Sequence, residues 1–183
     1  TIPGSVTSIE YSAFNNCTSL ESINIPNGVV AIGRGVFSGC TSLASVTIPD
    51  SVEYISGLAF DNCTSLASVT IPKGVRAIRE SAFENCTSLK SVIVPSNVSL
   101  IGYACFNNCT SLESIFLPDN NNLNIEGDAE NETIPDTTTK VKYSLDTNKG
   151  EAKITGITLG TGKTSVAIPE KICGYSVNPI SAD

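Results

Sequence analysis

The stretch Gly160-Thr161-Gly162-Lys163-Thr164-Ser165 comes nearest to phosphate chemistry. A phosphate loop needs a Gly, four residues, then Gly-Lys-Ser/Thr, opening a helix whose N-terminus faces the phosphates. The first Gly of that pattern falls on Ile157, and Ser165-Val166-Ala167-Ile168-Pro169 reads as a strand, so a hairpin turn is the better reading. Seven cysteines raise the question of disulfides or zinc. Cys17, Cys40, Cys63, Cys86 and Cys109 recur at one spacing. Stacked in a column, neighbouring thiols would lie ~5 Å apart, within disulfide reach, but their Cβ vectors would point the same way rather than converge. A straight column also fails the tetrahedral demand of zinc. Buried, reduced thiols acting as small hydrophobes are expected, with Cys105 buried beside them and Cys173 in a turn as the candidate reactive one. Glu126, Asp128, Glu130 and Glu132 alternate and could offer oxygen ligands to Ca²⁺, but their spacing is not that of an EF-hand, so a solvated loop is expected. Asn-x-Ser/Thr occurs at Asn16, Asn62, Asn85, Asn97, Asn108 and Asn131; four of these arise because Asn precedes a recurring Cys-Thr.

The chain contains no His. That removes Ser-His-Asp and Cys-His nucleophile pairs, His-ligated metal sites and the commonest general base near neutral pH. Net charge is −7 with only 16% charged residues, a poor basis for nucleic-acid binding. No run of 18 apolar residues is present to span a membrane. Paired carboxylates for glycoside hydrolysis would need a cleft, and nothing marks one. The residues therefore predict no catalytic set, no metal and no cofactor.

What positions these residues is a repeat. Ile2-Pro3, Ile25-Pro26, Ile48-Pro49, Ile71-Pro72, Val94-Pro95 and Leu117-Pro118 are each 23 residues apart. Between them run columns headed by Val6, Ile9, Phe14, Cys17, Leu20 and Ile23, each recurring in five coils. One 23-residue unit cannot bury both sides of its apolar row, whereas stacked units can. Each large side chain so buried contributes roughly 1.5–3 kcal/mol against the ordering entropy.

The pattern Ile-Pro-x-x-Val-x-x-Ile-x-x-x-Ala-Phe-x-x-Cys-x-x-Leu-x-x-Val-x-Ile-Pro resembles the BspA-type leucine-rich repeats of surface and secreted proteins of bacteria and some mucosal protozoa. Val36 and Cys105 depart from it by standing where it has Ala. The resemblance implies an α/β, β-rich fold: a right-handed solenoid with a parallel sheet on its concave side. It also implies a secreted or cell-surface location and a non-catalytic role in adhesion or recognition of a protein or glycoprotein. The Ala-Phe-x-x-Cys stretch is too short for a full helix and predicts one tight helical or 3₁₀ turn on the convex side.

The period of two in Leu20–Ile25 turns Ile23 and Ile25 inward and Ser22 and Asn24 outward. The same argument exposes Ser45, Thr47, Ser68, Thr70, Ser91, Ile93, Ser114 and Phe116, giving a candidate ligand-binding strip ~20 Å long. Ile93 and Phe116 depart from a column otherwise Asn or Thr and should pair at its C-terminal end. Either the linker or the C-terminal segment covers them, the default fate of large apolar groups, or they anchor a ligand. The strip supports a binding module; the alternative is a structural spacer or stalk without its own ligand.

Residues 1–118 are thus expected to form a five-coil array, and 119–139 an acidic linker or loop. Residues 140–183 are expected to be a β-rich segment opening a further array. Val141–Leu145 and Lys153–Leu159 alternate as strands around Asp146–Gly150. Ile168-Pro169 with Gly174, Val177 and Ile180 restarts the repeat phrase, and both ends read as falling mid-array, which suggests a piece of a longer protein.

Overall fold

The computed structural model describes residues 1–116, 123–125, 140–146, 151–158, 171–172 and 175–178. Residues 1–116 form a parallel β-solenoid. Each coil carries its first strand where the outward Ser column was expected: β1 (Ser22–Asn24), then, one per coil, Ser45–Thr47, Val69–Thr70, Ser91–Ile93 and Ser114–Phe116. Each of the four following gaps carries a second, two-residue strand that the sequence reading did not anticipate. These second strands are β2 (Ala31–Ile32), β4 (Tyr54–Ile55), β6 (Ala77–Ile78) and β8 (Leu100–Ile101). In chain order the first strands after β1 are therefore β3 (Ser45–Thr47), β5 (Val69–Thr70), β7 (Ser91–Ile93) and β9 (Ser114–Phe116).

The second strands build one parallel sheet in the order β2, β4, β6, β8, continued by β10 (Asn124–Ile125), with Ile9 bridging to Ile32 at its start. Register is fixed by burial. Ile32, Ile55, Ile78 and Ile101 sit opposite one another and are fully buried, so a one-residue slip would turn this row to solvent. Asn124 pairs with Leu100 and Ile125 with Ile101, within the acidic stretch 119–139. The first strands pair as β1–β3 and as β5–β7–β9, with β3 and β5 side by side but not joined by ladder bonds among the described residues.

The core is the inside of the stack. Phe14, Phe37, Phe60, Phe83 and Phe106 form a ladder of near-parallel rings with centroids 5.2–5.7 Å apart. Such pairs add about 0.5–1.5 kcal/mol each beyond the area they bury. Four of these rings, from Phe37 on, are essentially inaccessible to water.

The expected helical turn after the second strand is not there: among the described residues there is no helix. The reason lies in two left-handed positions per coil. Ser12, Gly35, Leu58, Ser81 and Ala104 occupy the first, and Asn16, Gly39, Asn62, Asn85 and Asn108 the second, with φ between 51° and 74°. Left-handed residues four apart stop a helix from propagating, because each costs an L-residue roughly 1–2 kcal/mol and redirects the adjoining amides. Isolated i→i+3 turns remain, such as Cys40 N–H to the Phe37 carbonyl at 3.1 Å. The freed amides instead bond to the next coil. Phe37 N–H donates to Ala59 O, Phe60 to Ala82 and Phe83 to Cys105, with the left-handed residues on either side doing likewise, all at 2.7–3.0 Å. Every turn is thus stitched to its neighbour as a sheet would be, and backbone polar groups on this side are satisfied between coils.

Beyond the array, β11 (Lys140–Asp146) and β12 (Glu151–Thr158) pair antiparallel, with an irregularity between Lys142 and Tyr143 where Gly156 lies opposite Lys142. These are the two stretches whose alternation predicted strands. The sheet is completed by β14 (Tyr175–Asn178), parallel to β12, and β13 (Lys171–Ile172), antiparallel to β14. Val177 of the restarted repeat phrase lies on β14 opposite Ala152.

Candidate functional site

The outward strip on the first strands is built by register alone. Ser22 pairs with Ser45 and Asn24 with Thr47; across the other ladder Ser91 pairs with Ser114, and Thr70 with Ile93. Ser22, Asn24, Ser45, Thr47, Ser68, Thr70, Ser91, Ile93 and Phe116 are all exposed. Ile93 pairs with Phe116, and the two are 67% and 58% exposed, so nothing among the described residues covers them. Glu21, Lys90 and Glu113 are the charged residues beside the strip, and coils two and three are uncharged there, with Ala44 and Ala67 in that column. The strip offers hydroxyls, one amide and an apolar end.

No disulfide joins the column of Cys17, Cys40, Cys63, Cys86 and Cys109 or the neighbouring Cys105, and all of these but Cys17 are buried. Sequence reasoning took them for small hydrophobes and missed a second role. The thiols of Cys40, Cys63, Cys86 and Cys109 donate to the carbonyl oxygens of Phe14, Phe37, Phe60 and Phe83 at 3.1–3.2 Å. Desolvation pushes all four thiols up from their ordinary value, Cys109 to about 12. They stay protonated near neutral pH, which suits a weak donor and not a nucleophile. Among the described residues no group of His, Cys, Asp or Glu could hold a metal ion. The phosphate-loop-like 160–165, the acids Glu126, Asp128, Glu130 and Glu132, and Cys173 lie outside the described residues.

The Asn column has a backbone purpose. Asn16, Asn62, Asn85 and Asn108 sit at the left-handed position, which Asn tolerates better than most residues. Their side chains bond laterally: Asn108 donates to Asn85 Oδ1 at 3.0 Å, and Asn85 and Asn62 donate to Asp61 at 3.1 and 2.8 Å. The Asn-Cys-Thr sequons are thus part of the stack.

The second-strand side carries the charge pairs. Arg34 bridges to Glu80 across Gly57, where a Cβ would come within 2.7 Å of Arg34 Nη1. Arg76 meets Glu53 at 3.3 Å and Lys73 meets Asp50 at 3.6 Å. A shallow cavity of about 520 Å³ lies beside these pairs, bordered by Asp50, Glu53, Arg76 and Asn97 among others. Two of its hydroxyls are already engaged, Ser51 with Val29 O and Ser99 with Arg76 O.

The family model for the BspA-type leucine-rich repeat region matches residues 7–134 in six copies. The chain belongs to the BspA-type leucine-rich repeat family. Its fold is also that of solved bacterial leucine-rich repeat proteins. A leucine-rich repeat protein from Bacteroides ovatus is 42% identical with a TM-score of 0.64, over 69% of this chain and 32% of that one. The Treponema pallidum (T. pallidum) leucine-rich repeat protein is 34% identical with a TM-score of 0.63, over 64% of this chain and 57% of that one. The pneumococcal vaccine antigen PcpA, 23% identical over 62% of this chain and 28% of that one, shares the fold with a TM-score of 0.55. This leucine-rich repeat chain spans 57% of the Treponema pallidum protein and 32% of the Bacteroides ovatus protein, less than two thirds of either. No curated protein matches it. Leucine-rich repeat proteins of this kind are in general protein-binding or surface repeat proteins. Among the described residues, no helix is long and apolar enough to cross a membrane.

Proposed function

We propose that this chain is a non-catalytic adhesion module of a secreted or cell-surface protein. Its first-strand strip would recognise a host or bacterial surface protein or glycoprotein. The observation that carries this reading is the in-register, solvent-exposed pair Ile93 and Phe116 at the end of an otherwise hydroxyl-lined ribbon. Exposed apolar groups on an ordered scaffold mark contact surfaces, and an aromatic that becomes buried on contact supplies a large share of affinity. The uniform interior supports the same reading, since it holds the ribbon rigid and so lowers the ordering cost of binding.

The test is surface plasmon resonance of the purified chain over a panel of extracellular-matrix glycoproteins. Ser68→Arg, Thr70→Arg and Phe116→Ser are compared with wild type after circular dichroism confirms the fold. Loss of capture by all three supports the strip; capture equal to wild type excludes it. The spacer reading draws on the uninterrupted turn-to-turn bonding. It predicts that deleting coils shortens reach while leaving no binding activity to lose.

A further inference from the structure

The turn that leads from β1 into β2 carries a reactive pair. Asn27-Gly28 is the one Asn-Gly of the chain; the other asparagines of residues 1–116 precede Cys, Ile, Val or another Asn. Both residues of the pair are exposed, and Gly28 holds a φ of 105°, which glycine takes without strain. The backbone bond that closes the turn runs from Val29 N–H to the Pro26 carbonyl at 3.4 Å. The equivalent bonds after Pro3, Pro49, Pro72 and Pro95 are all 3.1 Å, so this is the loosest of the five turns. Its two ends are anchored in the core, with Ile25 2% exposed and Val29 fully buried. The Gly28 amide is engaged with the next coil. It donates to Ser51 Oγ at 3.2 Å, and the Ser51 hydroxyl donates in turn to Val29 O at 2.8 Å.

Asparagine before glycine cyclises readily, because no side chain on the following residue hinders its nitrogen. The Gly28 nitrogen, its proton taken by hydroxide, forms a bond to Asn27 Cγ. The bond from Cγ to the side-chain nitrogen breaks, and ammonia leaves with a proton from water. Water then opens the cyclic imide at either carbonyl, giving aspartate or isoaspartate with no change of oxidation state. A Gly28 N–H held by Ser51 must give up that bond before it ionises, so the neighbouring coil restrains the reaction. We propose that Asn27 is a self-modifying site, the first asparagine of this chain to become an acid, and that Ser51 sets its rate. The product bears on the stack. Asn27 shares a column with Asp50, itself paired with Lys73 at 3.6 Å, so the new carboxylate forms one coil, ~4.8 Å, from the position of an existing one. Isoaspartate also adds an atom to the backbone between Ile25 and Val29, which pulls against the burial of both. The inference is independent of the strip on the first strands.

The test holds the purified chain at mildly alkaline pH and follows each asparagine by peptide mapping and mass spectrometry, reading the conversion of amide to acid over time. Asn27 converts first. Ser51→Ala, with its fold checked by circular dichroism, converts about fivefold faster, the factor that one neutral hydrogen bond is worth. Ser51→Thr keeps the hydroxyl and converts at close to the wild-type rate. In urea, wild type and Ser51→Ala convert at one rate, since the bond exists only in the folded stack. Asn27→Gln, whose cyclisation needs a larger ring, stays unmodified at that position. The purified isoaspartate form melts below the unmodified chain. Several results would overturn the inference: earlier conversion of another asparagine, equal rates for folded Ser51→Ala and wild type, or a faster Ser51→Ala in urea as well. An isoaspartate form that melts with the unmodified chain would overturn the claimed effect on the stack.

Discussion

The Cys63 thiol donates to the carbonyl oxygen of Phe37 at 3.2 Å, joining two coils through residues 26 positions apart. That carbonyl also accepts from Cys40 N–H at 3.1 Å, so one oxygen serves both its own coil and the next. Cys63→Ala removes the thiol donor and leaves a small void in a fully buried site. A cost of about 1–2 kcal/mol follows from the lost bond and the void together. Urea denaturation followed by circular dichroism reads it as a lower midpoint with an unchanged slope.

The same thiols set a pH dependence with a definite sign. Burial raises the thiols of Cys63, Cys86 and Cys109 above the ordinary thiol value of 9.0, which stands for the unfolded chain. Below that value both states are protonated and the contribution is constant. Above it the unfolded chain gives up protons that the folded chain keeps, so stability falls with rising pH until the folded thiols themselves ionise. Each such thiol contributes a slope of about 1.4 kcal/mol per pH unit in that window. Thermal melts from pH 8 upward should show it, and Cys86→Ala should flatten the curve by one thiol's share.

Left-handed backbone makes Gly35 hard to replace. Its φ is 62°, and a Cβ there would lie 3.3 Å from Ser12 Oγ. Gly35→Val puts a β-branched residue in a conformation L side chains avoid, at a cost of about 1–2 kcal/mol or more. Val30→Thr, at an exposed position, serves as the control with little effect. Midpoints of thermal unfolding decide the comparison.

Gly57 is a different case, because what its Cβ would meet is the end of two flexible side chains, Arg34 and Glu80. Gly57→Ala should displace their bridge while the fold stays intact. An exposed pair of this kind is worth about 0–1 kcal/mol, so the loss is small, and it should vanish in high salt. A loss that persists in high salt would show that the bridge is not what the substitution removes.

How much of this was legible in the sequence depends on whether a column repeats its residue type. The Phe, Cys and Leu columns announced the stack because identical side chains meet their own kind one coil away. The strip on the first strands was legible from the period of two around Ile23. The second sheet escaped notice because only its inward Ile column repeats; its outward positions, Ser8, Ala31, Tyr54, Ala77 and Leu100, share no chemistry. The helical turn was misread for a related reason. Asn16, Gly39, Asn62, Asn85 and Asn108 are the two residue types most at ease with positive φ, a signal that was present. Its partner column of Ser12, Gly35, Leu58, Ser81 and Ala104 has no common type and hides the second interruption. The thiol bonds could not be read at all, since a Cys that packs and a Cys that donates look alike in one dimension.

The turn-to-turn stitching has an evolutionary corollary. Because each coil presents to its successor the same amides, carbonyls and thiol that it receives from its predecessor, recombination that adds or removes a whole coil creates no new junction chemistry. Lineages can therefore lengthen or shorten the array by unequal crossing-over, while insertions of any other size must be absorbed where the columns do not run.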